Sequence, residues 1–391
     1  MKKGYIYIVI LLLIVGCSKE SIEPTIIEPP TPPEVRSYYN TSYELQKSSI
    51  WIDYYQVLEN NGIDFGTIAF GTCEVYADFD GDGYEDWMTA PSYYQQDNGP
   101  MPLWFFQNQG DNKTFIKKEF DITNNIGTWN ARKALLGDFN NDGKPDIAYP
   151  EQGIDEFGAE DSEPTMLMST ESGYRMFNLS DRKLFLHTGA SGDIDKDGDL
   201  DIIMSSQHEL VTFLNNGDGT FIETNIVDID PNSSQDGFVS MELFDINKDG
   251  YLDLIAGGDE NNLPSRIYYG NGVGYSFERS TIIPHTEPWT GTIDYDFADI
   301  DNNGTIEIIM GRFKNVYEGF FIEIVTLIDS EYQIISSIVD NTQADNLRWP
   351  VWLRAQDIDN NNKLDIFSND KGNLGYGTYR WELDNGIFIR K

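Results

Sequence analysis

The sequence predicts an all-β protein, a β-propeller counted as six four-stranded blades, and three observations carry that expectation. A nine-residue pattern rich in Asp, Asn and Gly recurs six times, its starts lying 60, 55, 52, 54 and 58 residues apart. Between copies, apolar stretches are separated by Asn-Gly and Asp-Gly signals, the punctuation of β-hairpins. The composition favours strands, with 22 Tyr and 22 Phe and few long Ala/Leu/Lys/Glu stretches. Self-similarity at a fixed period, with room for four strands per unit, is how a propeller blade shows itself in sequence.

The chain has 391 residues, a length that one large all-β domain can fill. It is expected to open on a leader. Met1, Lys2 and Lys3 supply positive charge, and Tyr5 to Val15 is a nearly unbroken apolar run. That run is too short to span a bilayer as a mature helix but suits the apolar part of a signal peptide, expected at residues 1–16. It ends Ile14-Val15-Gly16-Cys17, which resembles the lipobox of bacterial lipoproteins. The resemblance implies cleavage before Cys17 and acylation of that cysteine, hence anchoring in membrane lipid. Ser18 after the cysteine is similar to an outer-membrane address, periplasmic or surface-exposed. Residues 17–37 follow as a stalk, with prolines at 24, 29, 30, 32 and 33 that favour extended, semi-rigid chain. The other cysteine is Cys73, so the mature chain has no disulfide framework and whatever staples it must be something else.

Residues 38–65 precede the first repeat and contain Trp51, Tyr54, Tyr55 and Leu58. They fit a helix, a strand closing the seam of the ring, or a degenerate seventh blade. The propeller itself is expected over 66–391.

The repeats supply the chemistry. Loop 1 offers Asp78, Asp80, Asp82 and Asp86; loop 2 offers Asp138, Asn140, Asp142 and Asp146. Loop 3 offers Asp193, Asp195, Asp197 and Asp201, and loop 4 Asp245, Asn247, Asp249 and Asp253. Loop 5 has Asp299, Asp301, Asn303 and Glu307, and loop 6 Asp357, Asp359, Asn361 and Asp365. Calcium seeks six to eight oxygen ligands, which side chains at positions 1, 3, 5 and 9 and a carbonyl at position 7 can provide around a tight turn. Position 6 needs a left-handed backbone, and it is Gly in five loops and Asn362 in the sixth. One such copy would pass for an ordinary polar turn; six in register would not. An EF-hand is excluded, because position 12 is Thr89, Tyr149, Met204, Ala256, Met310 and Ser368 instead of Glu. Up to six Ca2+ ions are expected. Loops 1 and 3, with four carboxylates each, should bind tightest, and loop 6 should be weakened.

Each loop sits between apolar strands: Met241 to Phe244 enters loop 4 and Asp253 to Ala256 leaves it. Leu214 to Phe221, Tyr269 to Tyr275 and Leu383 to Ile387 read as hairpins. This pattern resembles the FG-GAP/VCBS repeat, and the calcium-bearing blades of integrin α-subunit propellers, from about Gly66 to Lys391. The resemblance implies that each loop joins the first two strands of its blade, and so six blades, or seven should 38–65 build another.

If the loops crown one end of the ring, the other end carries Trp129, Arg132, His187, Trp289, Arg348 and Trp349, aromatic and polar groups suited to a glycan or an extracellular protein. Nucleic acid is excluded, since 65 acidic residues against 27 Lys and Arg repel a polyanion. For catalysis there is little: His187, His208 and His285 without a His-Glu-x-x-His or Gly-x-Ser-x-Gly pattern. The expectation is a membrane-anchored binding or scaffold module. The alternative is a secreted polysaccharide-degrading enzyme of the lyase-like propeller kind.

Overall fold

A computed structural model describes residues 50–391 apart from 51, 53, 64–67, 70–72, 94–98, 154–160, 207–208, 230–236, 259, 261–262, 289, 315–317, 340–348, 358, 360, 372–376 and 385–386. The leader, Cys17, the stalk, Tyr94, His208, Trp289 and Arg348 lie outside the described residues.

Six four-stranded antiparallel units follow one another along the chain, making a β-propeller. Blade 1 is built from Glu74–Ala77, Asp86–Thr89, Trp104–Asn108 and Phe115–Lys118. Blade 2 uses Leu135–Gly137, Asp146–Tyr149, Thr165–Thr170 and Gly173–Asn178. Blade 3 uses Leu186–Gly192, Asp201–Ser206, Leu210–Asn215 and Phe221–Thr224. Blade 4 comprises Ser240–Phe244, Asp253–Gly257, Arg266–Tyr268 and Ser280–Ile282. Blade 5 comprises Gly291–Ala298, Glu307–Lys314, Glu318–Ile328 and Glu331–Val339, and blade 6 Trp349–Gln356, Asp365–Lys371, Gly377–Asp384 and Ile387–Arg390. In every blade the nine-residue loop joins the first two strands, and its last acid is the first residue of the second strand.

The second strands are buried along their whole length in blades 1 to 4, which is why they read as unbroken apolar runs rather than alternating ones. Their two faces pack against different neighbours. One apolar layer joins blades 1, 2 and 3 through Met88, Leu135, Ile147, Leu186 and Ile202. Further layers join blades 3 and 4, 4 and 5, and 5 and 6. Connections add stitches: Ile122–Thr123, leaving blade 1, pairs in parallel with the outer strand of blade 2.

The expected hairpins hold in blades 3 and 6, where Asn215 pairs with Phe221 and Asp384 with Ile387. Blade 4 differs. Its third strand pairs with Ser280–Ile282, and a short 3-10 turn, Phe277–Arg279, intervenes, so Tyr269 to Tyr275 turns without forming the outer strand.

The segment before blade 1 resolves as a helix, α1 (Tyr54–Asn60). Val57 and Leu58 pack with Ile50 and Ile52 on Tyr76, Trp87, Phe106 and Phe115, the face of blade 1 turned away from blade 2. Asn61 fastens it, donating to the Phe115 carbonyl at 2.9 Å and accepting the Lys117 N–H at 2.8 Å. From the other side of the seam, Arg354 of blade 6 lies 5.5 Å from the Tyr76 ring centre and reaches the Ile50 carbonyl at 3.4 Å. Blades 6 and 1 thus meet with this segment between them, and the described part of it forms no seventh blade.

Candidate metal-binding loops and the opposite face

Loops 1, 2, 4, 5 and 6 share a hydrogen-bonded frame. In loop 1 the Asp78 carboxylate accepts the N–H groups of Gly81, Asp82 and Gly83 at 2.8, 3.0 and 2.9 Å. Asp138, Asp245, Asp299 and Asp357 accept the N–H groups of positions 5 and 6 in the same way, at 2.7 to 3.0 Å. Position 2 anchors the loop in the core, Phe79, Phe139, Ile194 and Ile246 all being buried. Position 6 is left-handed as expected, with φ of 84–101° at Gly83, Gly143, Gly198, Gly250 and Gly304 and 64° at Asn362.

Two features were not legible in the sequence. Position 4 is left-handed too, at Gly81, Asn141, Lys196, Lys248 and Asn302. In three of these loops the position-4 side chain reaches the next loop. Asn141 donates to Asp199 of loop 3 at 2.9 Å, Lys196 to the Gly250 carbonyl of loop 4 at 2.6 Å, and Lys248 to the Gly304 carbonyl of loop 5 at 2.6 Å. The other feature is the work done by position 9. Asp86, Asp146, Asp201 and Asp253 are fully buried, and each accepts one N–H from position 2 and a second from the third strand or, for Asp253, from Gly270 just beyond it. These acids tie the loop to the blade before they ligate anything.

Carboxylate oxygens converge to within 4.8 Å of one another in four loops: Asp78, Asp80 and Asp86; Asp193, Asp195 and Asp197; Asp299, Asp301 and Glu307; Asp357, Asp359 and Asp365. Loops 2 and 4 carry three carboxylates, as loops 5 and 6 do, but have Asn at position 3 where those two have Asp. Burial pushes Asp86 up to about 8 and Asp146, Asp201 and Asp253 up to about 7, despite the backbone donors that oppose the shift. Burial also raises Asp78, Asp82 and Asp195, with neighbouring carboxylates adding to it. In loop 3 one oxygen of Asp193 is shielded from solvent with no hydrogen-bond partner. Hard, crowded oxygens that lack enough protons or N–H groups are what a divalent cation would satisfy. The donor set fits calcium.

The FG-GAP-like repeat family matches residues 78–149, 193–256 and 245–310, stretches that begin at the first acid of loops 1, 3 and 4. The chain is an FG-GAP repeat β-propeller. No curated protein matches it in sequence. Among solved structures, it is similar to an Agrocybe aegerita lectin that recognises non-reducing terminal N-acetylglucosamine, at 17% identity over 71% of this chain and 67% of the lectin, with a TM-score of 0.45. It is also similar to Bacillus subtilis levansucrase, at 10% identity over 92% of this chain and 97% of that one, TM-score 0.35. A Bacillus licheniformis rhamnogalacturonan lyase matches at 12% identity over 90% of this chain and 66% of the lyase, TM-score 0.26.

At the opposite end of the propeller, Trp129 and Arg132 come together before the first strand of blade 2. The Trp129 N–H donates to Glu151 Oε2 at 2.6 Å, and Arg132 Nε donates to Gln152 Oε1. Burial pushes Glu151 up to about 8. His187 stands next in the ring, edge-on to Phe185 at 4.9 Å, and the neighbouring Leu186 N–H donates to the Glu151 carbonyl at 3.0 Å. Trp349 begins blade 6. The same end holds a buried cluster that the sequence did not disclose. Arg312 is wedged between Glu260, at 2.9 Å, and Glu323, at 3.3 Å. Ser265 and Thr292 complete the Glu260 shell, at 2.6 and 3.1 Å, and His285 lies 3.7 Å from it. With both acids and the arginine fully enclosed, this cluster clamps blade 4 to blade 5.

Proposed function

We propose that this propeller is a calcium-stapled binding scaffold, held to a bacterial outer membrane through acylated Cys17. Its end opposite the loops is offered to a glycan or an extracellular protein. The observation that carries the reading is the convergence of three carboxylates within 4.8 Å at the loops, together with the unpartnered Asp193 oxygen. Three or four acids held this close repel one another and oppose folding, and bound calcium reverses the sign of that contribution. With no disulfide available, Cys73 being a lone buried thiol, the ions would do the stapling. Support for the anchor is the apolar leader that ends at Cys17. Support for the binding end is that Trp129, Arg132 and the strand start carrying His187 all lie beside the Glu151–Gln152 segment.

The first test is thermal melting of the purified protein in calcium and in chelator. Each occupied site stabilises by about 2.7 kcal/mol at a hundredfold excess over its dissociation constant, so the melting temperature should climb with calcium. An unchanged melting temperature in chelator would remove the stapling role. A glycan array then tests the binding end, with Trp129→Ala expected to weaken any captured sugar. Incubation with anionic polysaccharides tests turnover, and ultraviolet-absorbing unsaturated products would replace the scaffold reading with the lyase.

A further inference from the structure

We infer that the sixth loop is closed by a cation of the protein itself, the Arg380 guanidinium, and takes no metal ion, so the ring holds five ions at most. The inference rests on the calcium reading of the other loops and departs from it at this one.

Arg380 lies on the third strand of blade 6. Its Nε donates to Asp365 Oδ1 at 2.9 Å and its Nη2 to Asp365 Oδ2 at 3.0 Å, a two-pronged grip on the position-9 acid. The same Nη2 reaches Asp359 Oδ2, the position-3 acid, at 2.5 Å. Two of the three converging carboxylates of loop 6 are therefore already joined by one positive group, in the planar fork geometry where arginine surpasses a point charge. A divalent ion drawing on those oxygens would sit against a guanidinium bonded to its own ligands.

Register shows why this happens in one blade. Arg380 pairs with Phe367, two residues beyond the position-9 acid. The residues at that register in blades 1 to 5 are Phe105, Met166, Thr212, Ile267 and Ile324, none able to carry charge. Other features of loop 6 agree. Lys363, at position 7, is drawn to Glu382 and Asp384 at 3.1 and 3.2 Å. The Asn361 amide at position 5 donates to Glu382 at 2.9 Å. Because a guanidinium stays protonated at any physiological pH, blade 6, which borders the seam, keeps its loop closed whether or not calcium is present.

Equilibrium dialysis of the full-length chain against calcium tests this, with bound metal counted. The wild type should hold at most five ions, and Arg380→Gln should hold one more than the wild type. Should that variant fail to fold, Asp357→Asn serves in its place: the count should stay at the wild-type value, whereas Asp193→Asn should lose one ion. Six ions in the wild type, no gain in a folded Arg380→Gln protein, or an ion lost from Asp357→Asn would each overturn the inference while leaving the calcium reading intact. A count of zero in the wild type would overturn both.

Discussion

Blades 3 and 6 carry the same nine-residue loop, and they differ in what meets its charge. In blade 3 the position-1 acid, Asp193, has a shielded oxygen with no partner, beside Asp195 and Asp197. In blade 6 the position-3 and position-9 acids are held by Arg380. Blade 3 is also stitched to its neighbours at the loop end, receiving Asn141 from blade 2 and sending Lys196 to blade 4. Blade 6 is clasped from the ring interior instead, its Leu353 and Ala355 N–H groups donating to Asp294 and Asp296 of blade 5. A repeat motif therefore fixes a turn and a set of oxygens. The strand across from it decides what neutralises them.

The largest effect that would break the comparison is expected at Arg380. Removing the cation leaves the fully buried Asp365 charge uncompensated, but Arg380 itself is only partly buried, so the cost should lie at or below the lower end of the range for a buried pair, about 3 kcal/mol. Arg380→Gln measured by urea unfolding in chelator should lose on that order, and added calcium should recover part of it. In the wild type the dependence should reverse between blades. Chelation should raise hydrogen exchange in Asp201–Ser206 about a hundredfold, the equivalent of about 2.7 kcal/mol. Exchange in Asp365–Lys371 should change only a few-fold. Equal deprotection of both strands would erase the distinction between them.

How far this was readable in advance differs by level. The loops, their positions 1, 3, 5 and 9, and the left-handed sixth residue are local features with a fixed spacing, and residues such as Gly83 and Gly250 announce them directly. So do the buried second strands, because a run like Asp253 to Ala256 is apolar on both faces. The left-handed Lys196 and Lys248 carry no such signature. Their conformation follows from loop hydrogen bonds and from a target on the next blade. Arg380 is fifteen residues from Asp365, and nothing short of the strand register places it there. The α1 segment announced itself as apolar, but such a sequence serves a helix or a strand alike until blade 1 offers Val57 and Leu58 a face to pack on.

The interior clasp of blade 6 carries a pH signature. Burial pushes Asp296 up to about 8, against the donors from Phe297 and Ala355 and the Arg354 charge nearby, which pull it down. A folded-state value above the unfolded one means the fold takes up a proton. That contribution is present below about pH 4 and is lost as pH rises through about 8. Asn does not titrate, so Asp296→Asn should gain on the wild type by on the order of 2 kcal/mol between about pH 5 and about pH 9. Unfolding curves in saturating calcium check it, because the pH dependence of calcium binding is common to both proteins. A difference that stays flat with pH would show that Asp296 is ionised in the fold.

The smallest effect belongs to the stitch at blade 3, where two substitutions separate strain from contact. Lys196 sits at φ 66°, a conformation that costs a non-glycine residue roughly 1 kcal/mol. Against that cost it gains a hydrogen bond to the Gly250 carbonyl and a seat over the Tyr251 ring, 4.5 Å from its centre. Lys196→Met keeps the strain and discards the bond, so it should destabilise by about 1 kcal/mol. Lys196→Gly discards both and should fall near the wild type, since glycine adopts this backbone freely. Should the two variants lose equally, the left-handed turn at position 4 would be set by the loop alone, and the reach to blade 4 would be incidental to it.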